Sequence, residues 1–260
     1  MKIGFVSAVG AEENTPLAEF IKQVDRLARN QVGRVKAEDT ELVFQMPGSD
    51  EPPNDEEILR GYLEMARAGE YDAVISWCFL DPMKKEARQA LEIPVIGIAE
   101  TAMHMASMMG ARFGVIAPDE PGGKETTDGY IRTLGLQDRA VPTRVLPYKN
   151  LWSALTDASE GIDAMIKAGR GLISDGAEVI IPGCVLIDVM AANAPGCEQE
   201  YPNGLKEIDG VPVINVAAYA VKFAETLAAM KKAGVPWISR KAPEQGVSAT
   251  KYKGPGFWLD

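Results

Sequence analysis

The sequence has little of what several common site types require. In 260 residues there is one histidine, His104, and there are three cysteines, none of them spaced as CxxC. Protein zinc sites are built from clusters of Cys and His ligands, so this composition argues against a Cys/His zinc centre. We expect no metal in the site.

Basic residues are also in short supply. The chain has 27 Lys and Arg against 37 Asp and Glu, which gives a net charge of −10 at pH 7 and a pI of about 4.8. Nucleic acids and anionic membranes are bound by basic surfaces, so we expect neither as a partner. A small anionic substrate is not excluded, because a few backbone N–H groups can hold it.

Long apolar runs are missing as well. No stretch approaches the roughly 18 apolar residues of a membrane span, and the first residues, MKIGFVSAVGAEEN, become acidic too early for a signal peptide. We therefore expect a cytoplasmic protein, in which structural disulfides are rare. The length and a hydrophobic content of 46% suffice for one large domain or two small ones.

What is present is an apparent duplication. Two halves of the chain share four segments in the same order, which indicates a repeated α/β unit. A cleft between two such copies is a natural binding site. The matched segments are IGFVSA (3–8) with FGVIAP (113–118), TELVFQMP (40–47) with TRVLPY (143–148), YDAVISWC (71–78) with GAEVIIPGC (176–184), and IPVIGIAE (93–100) with VPVINVAA (211–218).

The pattern predicts an α/β fold. Apolar runs such as 73–77 and 113–117 alternate with amphipathic stretches, as in parallel sheets covered on both faces. We predict two pseudo-symmetric domains, each a parallel sheet flanked by helices, with the active site in the cleft between them. The first comprises 1–100 plus 215–260, including a C-terminal arm over 234–260, and the second comprises 101–214.

Local signals predict several boundaries. Thr15 or Asn14 caps a first helix that begins at Pro16 and gives way to a loop over 31–38. Asp81 and Pro82 are predicted as the cap and first residue of a helix through Ala90. A further strand is predicted over 94–99.

The cysteines at the matched strand ends, Cys78 and Cys184, are the candidate catalytic residues. In parallel α/β sheets, ligands bind beyond the carboxyl ends of the strands. Each cysteine is also predicted to precede a helix start, where the amide dipoles favour a thiolate. One cysteine alone would be interpreted as a small core hydrophobe, but two at equivalent positions favour a function. Cys197 has no counterpart and is interpreted as incidental.

Two thiols on opposite faces of one carbon supply an acid and a base. A thiol has an ordinary pKa of about 8.5, which helix ends lower toward neutrality. A thiolate removes the proton next to a carbonyl while the opposite thiol delivers one. Backbone N–H groups at the strand–helix turns are suited to hold the resulting negative charge. This scheme requires neither a metal nor an organic cofactor.

Several segments resemble the aspartate/glutamate racemase superfamily, and most closely its hydantoin racemase branch. The resemblance covers roughly residues 70–230. It implies two pseudo-symmetric α/β domains, independence from cofactors, and Cys78 and Cys184 as acid and base. It also implies that backbone near Phe79, Leu80, Gly183 and Val185 holds the substrate's carbonyl or carboxylate. The segments are FLDP after the first cysteine, IPVIGIAETAMHMAS (93–107), RFGVIAP (112–118), DGAEVIIPGC (175–184) and GVPVINVAAYAVKFAETL (210–227).

The chain also departs from the family pattern. Its first strand ends in SAVGAEEN instead of an Asn-rich turn, which leaves Ser7 as the polar candidate for substrate binding. Pro118 follows the matching strand of the second half and is predicted to shape the pocket. The second cysteine is followed by Val-Leu-Ile, and an insertion lies around 192–204. These differences suggest a bulkier or more apolar substrate than the usual hydantoins.

Three functions stay open at this point. The first is a racemase or epimerase inverting a carbon next to a carbonyl of a hydantoin or amino-acid-like substrate. The second is a cis–trans isomerase or decarboxylase of a small carboxylic acid in the same superfamily. The third is a two-domain protein that binds a small molecule without turnover. A Met-rich helix near 103–109 and the aromatic tail favour a homo-oligomer.

Overall fold

The computed structural model describes residues 1–8, 11, 14–45, 54–67 and 69–239. The part of the predicted arm from 240 to 260 lies outside these residues. The chain divides into two compact units. Unit 1 consists of Met1–Ala18, Lys36–Gly97 and the segment from Ala220 onward, and unit 2 consists of Glu19–Val35 and Ile98–Tyr219. Residues 19–35 thus group with unit 2, whereas the sequence prediction assigned them to the first domain.

Unit 1 contains a four-stranded parallel sheet. Its strand order is β2-β1-β3-β4, and Ile3 of β1 lies opposite both Leu42 of β2 and Ala73 of β3. Because β1 and β3 are apolar almost throughout, they form the centre of the sheet. The elements are β1 (Lys2–Ser7), β2 (Glu41–Gln45), α2 (Asp55–Arg67), β3 (Ala73–Trp77), α3 (Lys84–Ala90) and β4 (Val95–Ile96).

Unit 2 repeats this topology. Its parallel sheet has the order β6-β5-β7, and a parallel bridge from Ile180 to Val213 adds the position that β4 occupies in unit 1. The predicted α/β fold, with parallel sheets flanked by helices in two units, is confirmed. The elements are α4 (Ile98–Met109), β5 (Phe113–Ala117), α5 (Gly123–Thr133), β6 (Arg144–Val145), α6 (Ser159–Ser174), β7 (Val179–Pro182), α7 (Val185–Asn193), and the antiparallel pair β8 (Glu207–Ile208) and β9 (Val211–Pro212).

Two long helices complete the description. Helix α1 (Pro16–Gly33) begins at the predicted proline, and the Thr15 hydroxyl caps it by accepting the Ala18 N–H at 3.2 Å. Helix α8 (Val216–Lys232) follows the last strand position of unit 2. In the part of the chain that the structure describes, no helix is both long and apolar enough to cross a membrane.

Equivalent glycines let a helix pack closely on the central strand of each sheet. Gly4 of β1 faces the Met65 sulfur of α2, and an added Cβ would overlap that atom. Gly114 of β5 faces Leu172 of α6, whose Cδ atoms would lie 2.8 and 2.9 Å from an added Cβ. These matched positions in the segments 3–8 and 113–118 support the duplication independently of the cysteines.

Three predicted boundaries are wrong. Helix α1 continues to Gly33, so the predicted loop over 31–38 begins too early. The fourth strand of unit 1 is only Val95–Ile96, since α4 starts at Ile98. Helix α3 starts at Lys84, later than the predicted cap and first residue. The first of these errors lies where a side chain, that of Gln31, is buried against a distant part of the chain, as described below.

Candidate active site

The first cysteine lies at the carboxyl edge of the unit 1 sheet. Ser7, the last residue of β1, lies opposite Trp77, the last residue of β3. Cys78 comes next and carries a half-buried thiol. Phe79 is buried and Leu80 is half-buried. The structure therefore brings Ser7 and these three residues to one edge of this sheet.

Aromatic packing fixes the strand that ends at this edge. The Trp77 ring meets Phe5 edge-on with centroids 5.1 Å apart, and Phe5 stacks on Phe44 at 4.3 Å. Such ring pairs contribute about 0.5–1.5 kcal/mol each beyond the burial of their area. The Trp77 side chain, immediately before Cys78, is thus packed against side chains of β1 and β2 on one face of the sheet.

The turn after Cys78 differs from the prediction. Asp81 donates its N–H to the Cys78 carbonyl at 3.0 Å, and the chain then passes through left-handed conformations at Asp81 (φ 49) and Met83 (φ 56). Helix α3 can start only after these residues, at Lys84. The interpretation of Asp81 and Pro82 as cap and first helical residue is therefore wrong, and the helix-dipole argument does not hold for Cys78.

The Asp81 carboxylate is buried in this turn. Its side chain is fully buried and lies 3.8 Å from the Nζ atom of Lys84, whose side chain is 6% exposed. An added Cβ at Gly97 would overlap the same carboxylate. Tyr62 donates its hydroxyl to the Pro82 carbonyl at 3.4 Å, and burial raises the pKa of this phenol well above its ordinary value. Asp81, Lys84 and Tyr62 together thus hold the turn that follows Cys78.

The second cysteine lies at the carboxyl edge of the unit 2 sheet. Cys184 follows β7 through Gly183 and is the extended N-cap residue of α7 (φ −155, ψ 145), with Val185 as the first helical residue. This confirms the predicted helix start. The Gly183 N–H donates to the Ile116 carbonyl at 2.8 Å, and Pro118 follows the adjacent strand β5. The N-terminus of a helix favours a thiolate at this position.

A buried carboxylate one turn after Cys184 was missed in the sequence. Asp188 donates its N–H to the Cys184 carbonyl at 2.9 Å, and its side chain accepts the N–H groups of Val216 and Ala217 at 2.8 and 3.1 Å. Burial raises the pKa of Asp188 to about 6, although the hydrogen bonds act in the opposite direction. The one signal was a lone carboxylate within the apolar run VLIDVMAA.

The buried network continues to Gln31 of α1. Its Nε2 donates to Asp188 at 2.5 Å and to Asn215 at 2.8 Å, while its buried Oε1 has no partner among the described residues. Asn215 in turn accepts the Ala218 N–H at 2.9 Å. Gln31 and Asn215 also line a cavity of about 360 Å³ in unit 2. Neither Cys184 nor the residues beside it line that cavity.

Other titratable groups do not assemble into a metal centre in the described ranges. No group of three or more His, Cys, Asp or Glu side chains there has the arrangement of a metal site. Cys197 lies in the turns after α7, and burial raises the pKa of its thiol. It therefore lacks the features that favour a reactive thiolate.

Comparison with known proteins identifies the family. The Asp/Glu/hydantoin racemase family model matches residues 17–224. A hydantoin racemase from Pseudomonas sp. (strain NS671) is 32% identical over 241 residues, which are 89% of this chain and 90% of that protein.

Solved structures show the same fold. An allantoin racemase from Klebsiella pneumoniae has a TM-score of 0.72 at 22% identity, with 95% of this chain and 94% of that chain covered. The allantoin racemase AllR from Pseudomonas fluorescens has a TM-score of 0.71 at 21% identity, with 98% and 100% covered. The chain therefore belongs to the Asp/Glu/hydantoin racemase family and is an isomerase of the racemase class.

Proposed function

We propose that the chain is a cofactor-independent racemase or epimerase that inverts a carbon next to a carbonyl, with Cys78 and Cys184 as the acid–base pair. The observation that supports this most directly is the repetition of one arrangement in both units. In each unit, a half-buried cysteine follows the strand that pairs with the first strand of that unit. These strands are β3 beside β1 in unit 1 and β7 beside β5 in unit 2. A single thiol at one strand end would not support two-sided chemistry.

In the proposed mechanism the substrate carbon lies between the two thiols. One cysteine, as thiolate, removes the proton from one face, and the other, as thiol, delivers a proton to the opposite face. The roles exchange for the other enantiomer. The negative charge moves onto the adjacent carbonyl oxygen, which backbone N–H groups after each cysteine, from Phe79 and Leu80 and from Val185, stabilise. One sulfur gains the proton that the substrate loses, and the other loses the proton that the substrate gains. No electron or group transfer is needed.

The proposed substrate class is supported by the relatives and by the residues at the two edges. The similarity to a hydantoin racemase supports a 5-substituted hydantoin or an amino-acid-like substrate. Ser7 is the polar group that we propose for a hydrogen bond to the ring or carboxylate. Pro118 and the apolar side chains of Val185 and Leu186 make this site suited to an apolar substituent.

The test is proton NMR in D2O with separate enantiomers of 5-isopropylhydantoin, allantoin and representative amino acids. Wild type is expected to replace the α-proton of both enantiomers with deuterium faster than the uncatalysed reaction. Cys78→Ser and Cys184→Ser should lower inversion by about 10²–10⁴-fold, the usual contribution of a general acid or base. Each variant should retain exchange on one enantiomer only, and the two variants should differ in which one.

Cys197→Ser is the matched control and should racemise at the wild-type rate. Racemisation by the double variant Cys78→Ser/Cys184→Ser would contradict the two-thiol mechanism. Exchange on none of the compounds by folded wild type would contradict the substrate class and favour the isomerase or decarboxylase alternative.

We further propose a cytoplasmic homo-oligomer whose partner besides itself is the small-molecule substrate. Thiols that must stay reduced are suited to a reducing compartment. Met108 and Met109 at the end of α4 are 73% and 43% exposed, and exposed methionines of this kind suit a surface covered by a second copy.

A further inference from the structure

We infer that Asp188 and Asp81 are positioning residues, each of which fixes the turn that carries one catalytic cysteine. The inference rests on the proposed two-thiol mechanism and adds to it two carboxylates that act through the cysteines. Neither carboxylate is solvent-exposed, since the Asp188 residue is 1% and the Asp81 residue 5% exposed. A carboxylate is costly to bury unless donors or a cation compensate it, and each of these two has such partners at the turn after its cysteine.

In unit 2 the carboxylate joins two helix starts. The backbone of Asp188 makes the first hydrogen bond of α7, to the carbonyl of Cys184. Its side chain accepts the first two N–H groups of α8, from Val216 and Ala217. The first turn of α7, which contains the cysteine as N-cap, is thereby tied to the first turn of α8. A shift of Cys184 relative to the sheet would have to break these bonds.

A second contact orients this carboxylate. Gln31 donates to Asp188 at 2.5 Å and to Asn215 at 2.8 Å. Asn215 is the residue before α8, and its side chain accepts the Ala218 N–H. The α8 start is also held to the sheet, because the Ile214 N–H donates to the Ile180 carbonyl of β7 at 2.9 Å. Strand, cysteine turn and helix start therefore form one hydrogen-bonded frame.

Unit 1 has a related arrangement, in which the aspartate carboxylate lies beside the residue that precedes the next helix. Asp81 follows Cys78 by three residues and bonds to its carbonyl through a left-handed turn instead of a helix. Its carboxylate lies against Gly97, the residue that joins β4 to α4, and beside the buried Lys84. Gly97 precedes its helix as Asn215 precedes α8. In both units a buried carboxylate thus lies where the fourth strand position joins the next helix.

The recurrence of a buried aspartate after both cysteines favours a positioning role over general stabilisation of the fold. The local backbone after the two cysteines differs, yet an aspartate reaches the same topological position in each unit. An ionised carboxylate can accept several N–H groups at once, whereas the amide of Asn presents two donors on one side and leaves one contact unmatched. Displacement of a catalytic group by about 1 Å can cost on the order of 10²-fold in rate.

The experiment measures α-proton exchange for each enantiomer of 5-isopropylhydantoin in D2O, together with inversion by chiral chromatography. The serine variants first assign which enantiomer each cysteine deprotonates. Asp188→Asn is then expected to lower exchange of the Cys184-dependent enantiomer by about tenfold to a hundredfold, while exchange of the other enantiomer stays near the wild-type rate. Asp81→Asn should show the opposite selectivity.

Two further variants distinguish a positioning effect from a loss of folded protein. Gln31→Met removes one donor to Asp188 while filling a similar volume, and it should give a smaller effect on the same enantiomer. Asp209→Asn is the matched control, because Asp209 makes only an exposed ion pair with Arg170 in the same unit, and it should change neither enantiomer. Circular dichroism and urea unfolding give the folded fraction for every variant.

Equal loss of exchange for both enantiomers, in proportion to the folded fraction, would show a purely structural role and overturn the inference. Wild-type rates in both aspartate variants would also overturn it. Racemisation that survives Cys184→Ser would instead overturn the two-thiol mechanism, so the two failures are distinguishable.

Discussion

At the residue scale, Asp188 links protonation to folding. Its pKa rises from 3.8 to about 6 in the folded chain, with burial as the largest cause. The folded state therefore binds a proton more tightly than the unfolded state. Its contribution to stability is complete below about pH 3.8 and is lost as the pH rises through about 6. By pH 7 the loss is on the order of 3 kcal/mol, at about 1.4 kcal/mol per pKa unit.

We expect Asp188→Asn to remove this part of the pH dependence. The free energy of unfolding of wild type minus that of the variant should fall by about 2.5 kcal/mol between pH 4 and pH 7, as measured by urea unfolding at each pH. Asp25 is the matched comparison, since burial also raises its pKa to about 6 while Arg29 opposes the rise. Asp25→Asn should remove the separate pH dependence of Asp25 and leave the Asp188 contribution in place. A difference that is independent of pH would contradict the buried ionisation.

At the element scale, Gly183 permits the close approach that places α7 on the sheet. An added Cβ would lie 2.7 Å from the Ile116 carbonyl oxygen and 2.7 Å from Val115 Cγ1. The first of these is a backbone atom of β5, which cannot move without disturbing the strand. The glycine is thus required by the tight packing of the turn that leads to Cys184.

We expect Gly183→Ala to lower the free energy of unfolding by about 1–3 kcal/mol, the usual effect of overpacking, and to reduce racemisation through a displaced Cys184. Gly129→Ala in α5 is the control, because its Cβ would meet only a flexible Arg132 nitrogen at 3.8 Å. That change should raise stability by up to about 1 kcal/mol through helix propensity. Urea unfolding measures both, and a Gly183→Ala variant as stable as wild type would contradict the packing argument.

At the scale of the whole molecule, the exposed end of α4 is the surface that supports the proposed homo-oligomer. Met108 is 73% exposed, and Tyr219 donates its hydroxyl to the sulfur of Met109 at 3.4 Å. Together they form an apolar surface at the C-terminus of a helix whose other face is buried in unit 2. A second copy of the chain would remove this surface from water.

We expect wild type to elute as an oligomer in size-exclusion chromatography with light scattering, and Met108→Glu to shift the mass toward the monomer because it places a charge in the contact. Thr133→Glu, on an exposed position of α5, should leave the mass unchanged. A monomeric wild type would overturn the proposed homo-oligomer.

The elements that the sequence predicted best are those with purely local causes. Strands β3 and β5 have the predicted bounds, because an unbroken apolar run defines a buried parallel strand. One error arose where a polar residue has a distant partner. The polar character of Gln31 predicts a loop, yet Gln31 is buried in α1, where it bonds to Asp188, which lies 157 positions away.

The sequence alone determined the duplicated α/β architecture and the equivalent positions of Cys78 and Cys184, since periodicity and segment order are written directly in the chain. The tertiary structure decided how each cysteine turn is held. It places Asp81 in a left-handed turn beside Lys84, and it buries Asp188 against the start of α8. The physical reason is that a carboxylate can be buried only where donors from distant segments converge on it, and periodicity carries no information about such convergence.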